Sequence, residues 1–339
     1  METDFATAGR TAAAASASAS SCAAPLPAVP LAVVAHDAGA ANHILAWLQG
    51  SSGDALLPSM AGPALQAWRR ARGDTPQLAL EQAVGAAQAV LTGTGWASDL
   101  EHEARRLARQ QGKHSIAVLD HWTNYRERFE RGGEQVLPDE LWVSDPHALA
   151  LARRLFPGLP VRQQPNAYLD GLVAEVRACE AAAQAPAAPA TRLLYVLEPI
   201  RQAWGELPEP GEFAALDFFM AGLDRLDLGP EVEIRLRPHP SDPPGKYDAW
   251  LARQNAIPPE GATLALDGAP TLAQALAWAG VVAGCQTYAM VVALAAGRRV
   301  VSSVPPWAPP CVLPHPGILQ LSALPPAAER AGLHSTDLS

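Results

Sequence analysis

The stretch Leu31-Ala-Val-Val-Ala35-His36-Asp37-Ala38-Gly39-Ala40-Ala41-Asn42-His43-Ile44-Leu45-Ala46-Trp47-Leu48 decides the fold class. It opens on an unbroken apolar run containing two valines, as in a strand buried on both faces. His36-Asp37-Ala38-Gly39 ends the run, and Ile44, Leu45 and Leu48 then recur at helical spacing. A strand, a tight turn and a helix in succession open an α/β sheet.

The unit recurs along the chain. Strands are expected over residues 86–92, 114–119, 140–143 and 161–164, with helices over 98–111 and 146–156, Leu100 and Leu107 of the first facing inward. Residues 174–191, Ala-rich and then Pro-broken, read as a linker. A second series follows, with strands over 193–197, 231–236, 262–266, 281–283 and 299–303 and helices over 212–226, 272–279 and 287–296. Alternation of this kind predicts parallel sheets covered on both faces. The expected architecture is two Rossmann-like domains facing a cleft: residues 31–173, and residues 192–325 carrying the nucleotide donor. Residues 1–30, rich in Ala, Ser and Pro, read as a disordered tail without the basic start and apolar stretch of an export signal. Residues 326–339 read as a second tail.

Composition excludes several classes. The chain has 339 residues, 49% hydrophobic and 17% charged, enough apolar content to build cores and too much for full disorder. No apolar run reaches the roughly 18 residues of a membrane-spanning helix. The net charge of −9 argues against nucleic acid as a partner, while leaving room for a small phosphorylated ligand held by local cations. Cys22, Cys179, Cys285 and Cys311 form no C-x-x-C pair, and the histidines form no H-x-x-x-H, so no metal site and no disulfide scaffold is expected. A reducing cytoplasm fits this cysteine usage.

In open α/β sheets the ligand lies at the carboxyl ends of the strands, which directs attention to four loops. In Arg237-Pro238-His239-Pro240-Ser241-Asp242 two prolines stiffen the chain around His239, and Arg237 is expected to leave the sheet on the same face. Gly284-Cys285-Gln286-Thr287 lies between a strand and a helix, where Gln286 and Thr287 reach the free N–H groups that favour an anion, Thr287 alternatively being a plain cap. Cys285, with no base beside it, reads as a packed thiol. Asp37 is placed to act as a general base or to bind a hydroxyl, with His36 as partner; the alternative is an N-cap. The fourth loop, residues 120–129, mixes Asp120, His121, Trp122, Asn124, Tyr125 and Arg126, a set able either to read a sugar by stacking and hydrogen bonds or to brace two domains.

Together these segments resemble GT-B glycosyltransferases with a His-Pro motif, the group of bacterial sialyltransferases, polysialyltransferases and capsule or teichoic-acid polymerases. Arg237-Pro238-His239-Pro240 is similar to the His-Pro motif, and Gly284-Cys285-Gln286-Thr287 with the apolar helix behind it is similar to the C-terminal pattern. The resemblance implies a metal-independent inverting transfer from a nucleotide-activated sugar, such as a CMP-linked acidic sugar, to a surface glycan or a protein. The nucleotide sugar is a co-substrate, and no bound cofactor is implied. His239 and Thr287 would hold the donor phosphate, with Arg237, Gly284 and Gln286 around them. Asp37 or Asp120 would be the base, with His36 and His121 next in line. Asn42, Trp122, Asn124, Tyr125 and Arg126 would meet the acceptor. The enzyme would be cytoplasmic or peripheral to a membrane. The rival readings are a nucleotide-sugar epimerase or hydrolase of the same architecture, and a non-catalytic two-domain binding protein.

Overall fold

The computed structural model describes residues 26–182 and 190–326. The expected tails, apart from residues 26–30 and 326, and residues 183–189 of the expected linker lie outside the described residues.

The first half contains β1 (Leu31–Ala35), α1 (Ala38–Trp47), β2 (Leu56–Met60), α2 (Gly62–Arg72), α3 (Leu80–Ala86), β3 (Ala89–Thr92), α4 (Leu100–Gln110) and β4 (His114–Leu119). A two-residue hairpin pair, β5 (Glu130–Arg131) and β6 (Glu134–Gln135), precedes β7 (Glu140–Val143), α5 (Pro146–Leu155) and β8 (Val161–Gln163). The strands form a six-stranded parallel sheet in the order β2-β1-β3-β4-β7-β8. All of β1 is buried. Leu31, Val33 and Ala35 pack with Ile44 and Trp68, while Ala32 and Val34 pack with Val84 and Ala104. Helices on both faces therefore explain why the strand carries no polar alternation.

Helix α6 (Ala167–Ala182) leads out of this half. It begins before the expected linker, runs into it, and packs on α1, so residues up to Ala182 are structural rather than connecting. The second half contains β9 (Thr191–Val196), α7 (Gly211–Ala221), β10 (Val232–Arg237), α8 (Asp248–Ala256), β11 (Ala262–Leu266), α9 (Leu272–Trp278), β12 (Val281–Gly284), α10 (Tyr288–Ala295), β13 (Arg299–Ser302) and β14 (Ile318–Gln320). Its parallel sheet runs β11-β10-β9-β12-β13-β14. Helix α6 packs on α9 and α10 of this half as well. A seam of rings joins the halves: Trp122 stacks on Tyr288 with centroids 6.4 Å apart, and His43 meets Tyr288 edge-on.

Several expectations need correction. Residues 86–88 belong to the end of α3 and a turn, so the strand there starts at Ala89. One strand more than the sequence pattern suggests, β14, follows the strand expected at 299–303. In α4 Leu100 and Leu107 do pack inward against the cluster around Val34 and Val90, but they are only partly buried, and Glu101, His102, Ala104, Arg105 and Ala108 are the fully buried residues of the helix. β2 carries no clear strand pattern in the sequence because Pro58 interrupts it; the proline is tolerated because β2 is an edge strand.

Candidate active site

Each sheet reverses its strand order once, β1 against β3 in the first half and β9 against β12 in the second. The polar loops lie at the carboxyl ends of these strands, where this topology opens a crevice.

In the first half, the loops after β1, β3 and β4 enclose a cavity of about 280 Å³ lined by Asp37, Gly95, Trp96, Asp120, His121 and Arg128 among others. Asp37 caps no helix through its side chain. Its Oδ1 lies 2.8 Å from His36 Nδ1, and its Oδ2 accepts the Trp96 N–H at 3.2 Å. Asp120 Oδ1 accepts from Arg128 Nη1 at 2.7 Å. Arg128 is itself buried and also donates to Thr94 Oγ1 at 3.1 Å and to the Thr123 carbonyl at 3.1 Å. Burial holds His121 below the ordinary histidine value, against the opposing pull of Asp120, which favours a neutral imidazole in the cavity.

Two glycines make this arrangement sterically possible. A Cβ on Gly39 would fall 1.8 Å from Asp120 Oδ2, and one on Gly95 would fall 2.3 Å from Asp37 Oδ2. Both carboxylates thus lie against bare backbone, a close approach that only glycine allows.

The structure brings His36, Asp37, Asp120 and His121 together, and it distributes the expected acceptor residues elsewhere. Trp122 is buried in the seam, its Nε1 donating to Asp145 Oδ2 at 3.1 Å. Tyr125 is only 2% exposed and packs in the core. Apolar burial outweighs presentation of these two rings to a ligand, which corrects their expected role and favours the brace reading of the loop. Asn124 is exposed at φ +57°, a left-handed turn position that asparagine tolerates. Arg126 is exposed and donates to the Leu155 carbonyl at 3.3 Å. Asn42 donates to Tyr168 Oη at 3.1 Å and lines a separate groove between α1 and α2.

In the second half, His239 follows β10, Glu198 follows β9, and Gly284 ends β12 with Cys285 to Thr287 following it, so three adjacent strands deliver them to one sheet edge. His239 Nδ1 lies 2.8 Å from Ser241 Oγ, and its N–H donates to Asp242 Oδ2 at 3.1 Å. Burial lowers its pKa, against the opposing pull of Asp242. Lys246 pairs with Asp242 at 2.6 Å and with Glu212 at 2.5 Å. Arg237 is placed differently from expectation: its guanidinium is paired with the fully buried Asp267 and donates to the Ala269 carbonyl at 3.0 Å. The Arg237 charge is thus answered by Asp267 and the Ala269 carbonyl rather than left free for a ligand. Gly284 runs against the Val196 carbonyl, where a Cβ would lie at 2.8 Å. Gln286 donates its N–H to Glu198 Oε2 at 3.0 Å and accepts from Val312 N–H through Oε1 at 3.3 Å. Thr287 is the N-cap residue of α10, yet its hydroxyl makes no capping bond. Cys285 is a packed thiol, pushed up to about 12 chiefly by burial.

Sequence reasoning missed Trp96, Arg128 and Glu198 as site residues. Arg128 lies inside the loop over residues 120–129, and Glu198 directly follows the strand expected over residues 193–197; both signals are local and readable. Among the described residues no group of three or more His, Cys, Asp or Glu is arranged to hold a metal ion. No described helix is long and apolar enough to cross a membrane.

Two parallel six-stranded sheets, each in a Rossmann-like domain, define a GT-B architecture. No family model and no curated protein matches the sequence. Among solved structures, the chain is similar to UDP-GlcNAc 2-epimerase from Neisseria meningitidis bound to UDP-GlcNAc, at 10% identity and a TM-score of 0.52 over 80% of this chain and 81% of that one. It is similar to UDP-GlcNAc 2-epimerase from Methanocaldococcus jannaschii at 10% identity and a TM-score of 0.52, over 80% and 83% of the two chains. MurG from Acinetobacter baumannii matches at 12% identity and a TM-score of 0.49, over 91% of each chain. At such identities the likeness is one of fold.

Proposed function

We propose that this protein is a glycosyltransferase that moves a sugar from a nucleotide donor to a hydroxyl acceptor by metal-independent inversion. The observation that carries the reading is the cavity in which Asp37 and Asp120 lie against Gly95 and Gly39 at the sheet's crevice. Asp120 is neutralised by Arg128, whereas Asp37 is oriented by His36 and the Trp96 N–H. Asp37 is therefore the base that takes the acceptor proton, and Asp120 with Arg128 fixes the acceptor hydroxyls. The departing phosphate is met by His239, by Thr287 at the start of α10 and by the side-chain amide of Gln286, whose backbone N–H is held by Glu198. Arg237 keeps its partner Asp267. The acceptor is a glycan or a protein, and the enzyme works in the cytoplasm or at a membrane surface.

A second reading is epimerisation of a nucleotide sugar, favoured by the shared fold with the two UDP-GlcNAc 2-epimerases. The donor separates the readings. A thermal-shift screen against CMP, CDP, UDP and ADP and their sugars finds the nucleotide, because stabilisation follows RT ln(1 + [L]/Kd). NMR of the stabilising sugar then distinguishes transfer to an added glycan from inversion at one ring carbon. The CMP-linked acidic sugars implied by the motif and the UDP-sugars suggested by the fold are both in the screen. No stabilisation by any nucleotide would overturn both enzymatic readings.

A further inference from the structure

Glu101 belongs to none of the roles above, yet it lies beneath the Asp37 turn. It sits in the first turn of α4, where a carboxylate is favoured by the helix dipole. That preference does not require burial: Glu103, in the same turn, is half-exposed and pairs with Arg106 at 2.5 Å. Glu101 is instead 1% exposed. Its Oε1 accepts the His36 N–H at 2.8 Å, and its Oε2 is buried without a hydrogen-bond partner. The guanidinium of Arg105, one turn on, is directed to the Val136, Gly93 and Arg128 carbonyls and to Thr92 Oγ1. Leaving a carboxyl in such surroundings carries a desolvation penalty that a surface glutamate avoids.

The location explains what the carboxyl does. The ladder between β1 and β3 ends at Val34 and Thr92, and Gly93 N–H closes it onto the Val34 carbonyl at 2.9 Å. Beyond that point His36 N–H has left the β-ladder, and Glu101 supplies its acceptor from another element. On the other side of the same residue, the His36 carbonyl accepts from Ala64 N–H at 2.8 Å. Residue 36 is thus held at both its peptide groups, immediately before Asp37. Gly93 makes room, since a Cβ there would lie 3.2 Å from Glu101 Oε1.

We propose that Glu101 is a positioning residue for Asp37: its buried carboxyl pins the His36 peptide and so fixes the direction in which the base leaves β1. The proposal rests on the reading of Asp37 as the base. A displacement of about 1 Å in a catalytic group costs on the order of 100-fold in rate.

The test pairs Glu101→Met, which fills the space without a strong acceptor, with Glu101→Gln, which keeps an oxygen for the His36 N–H. Three quantities are measured: exchange of the His36 amide by NMR, kcat and KM, and nucleotide Kd by calorimetry. In Glu101→Met the amide should exchange at least about 10-fold faster and kcat should fall about 100-fold, with nucleotide Kd within about twofold of wild type. Glu101→Gln should match wild type in all three. Wild-type exchange and kcat in Glu101→Met would overturn the proposal. So would loss of protection or rate in Glu101→Gln, which also decides the matter if the Met variant does not fold. Exchange of the His36 amide needs no turnover. An enzyme without transferase activity would therefore refute the functional reading while this measurement still judged Glu101.

Discussion

Gly39→Ala is a sharp test of the candidate site because it adds a single methyl group. Gly39 has no left-handed φ, so alanine fits its backbone, and at the second position of α1 it should gain about 0.5–1 kcal/mol of helix propensity. Against that gain, the new Cβ would lie 1.8 Å from Asp120 Oδ2 and 3.0 Å from its Cγ. The carboxylate must retreat by more than about 1 Å to reach ordinary contact, and the 2.7 Å bond to Arg128 cannot survive that movement unchanged. A charge-assisted hydrogen bond contributes about 1.5–3 kcal/mol, and uncoupling a buried pair costs about 3–5 kcal/mol. Both side chains of this pair are largely buried, so the net loss should be about 1–3 kcal/mol after the helix gain. For a unit of this size that corresponds to a fall of roughly 2–12 °C in Tm by calorimetry. The rate of transfer should drop about 100-fold, because Asp120 shares the cavity with Asp37, the proposed base. The second arm of the cycle is Asp120→Ala, which removes the clashing atoms. In that background Gly39→Ala should be neutral or slightly stabilising, leaving a coupling of 1 kcal/mol or more. Equal Tm and kcat for Gly39→Ala and wild type would refute the packing of Asp120 against α1, and with it the geometry on which the site rests.

Asp37→Asn should lower kcat by about 10²–10⁴-fold in a steady-state assay while leaving nucleotide Kd unchanged; equal turnover would move the base to Asp120 or His121. His239→Ala should weaken the best nucleotide of the screen by roughly 10–100-fold in calorimetric titration without lowering Tm; unchanged affinity would take the His-Pro loop out of the site. Activity should survive EDTA, because His239 and the start of α10 answer the departing charge; loss restored by Mg²⁺ would contradict this. Burial lowers the pKa of His43 in the seam against the pull of Asp120 and Asp145. The unfolded chain therefore binds more protons at this residue, and its contribution to stability is lost as pH falls below about 6.5. Tm measured from pH 8 to 5 should decline in wild type and decline less in His43→Phe; parallel curves would exclude His43 as a source of the acid sensitivity.

The alternation of short apolar runs with helical spacings was enough to identify two α/β halves. Strand and helix periods are set by neighbours a few residues apart, and no tertiary contact is needed to read them. The loops that end strands could be found in the same way, which is why Asp37, Asp120 and His239 were all legible as candidates. Edge strand β2, with its proline, and the three-residue β14 carry too weak a pattern to be read. Pairings between distant segments were decided only by the strand order. Because β3 lies between β1 and β4, the loops carrying Asp37, Gly95 and Asp120 converge on one cavity although they are far apart in the chain. The same order turned Arg237 toward Asp267 across thirty residues, against its local spacing with His239. Burial had a similar effect on Trp122 and Tyr125, whose polar neighbours made them look like ligand contacts. A side chain's chemistry is written in the sequence, but whether that chemistry faces a ligand or an internal partner depends on which elements pack beside it, and folding selects the partner whose contacts best offset desolvation.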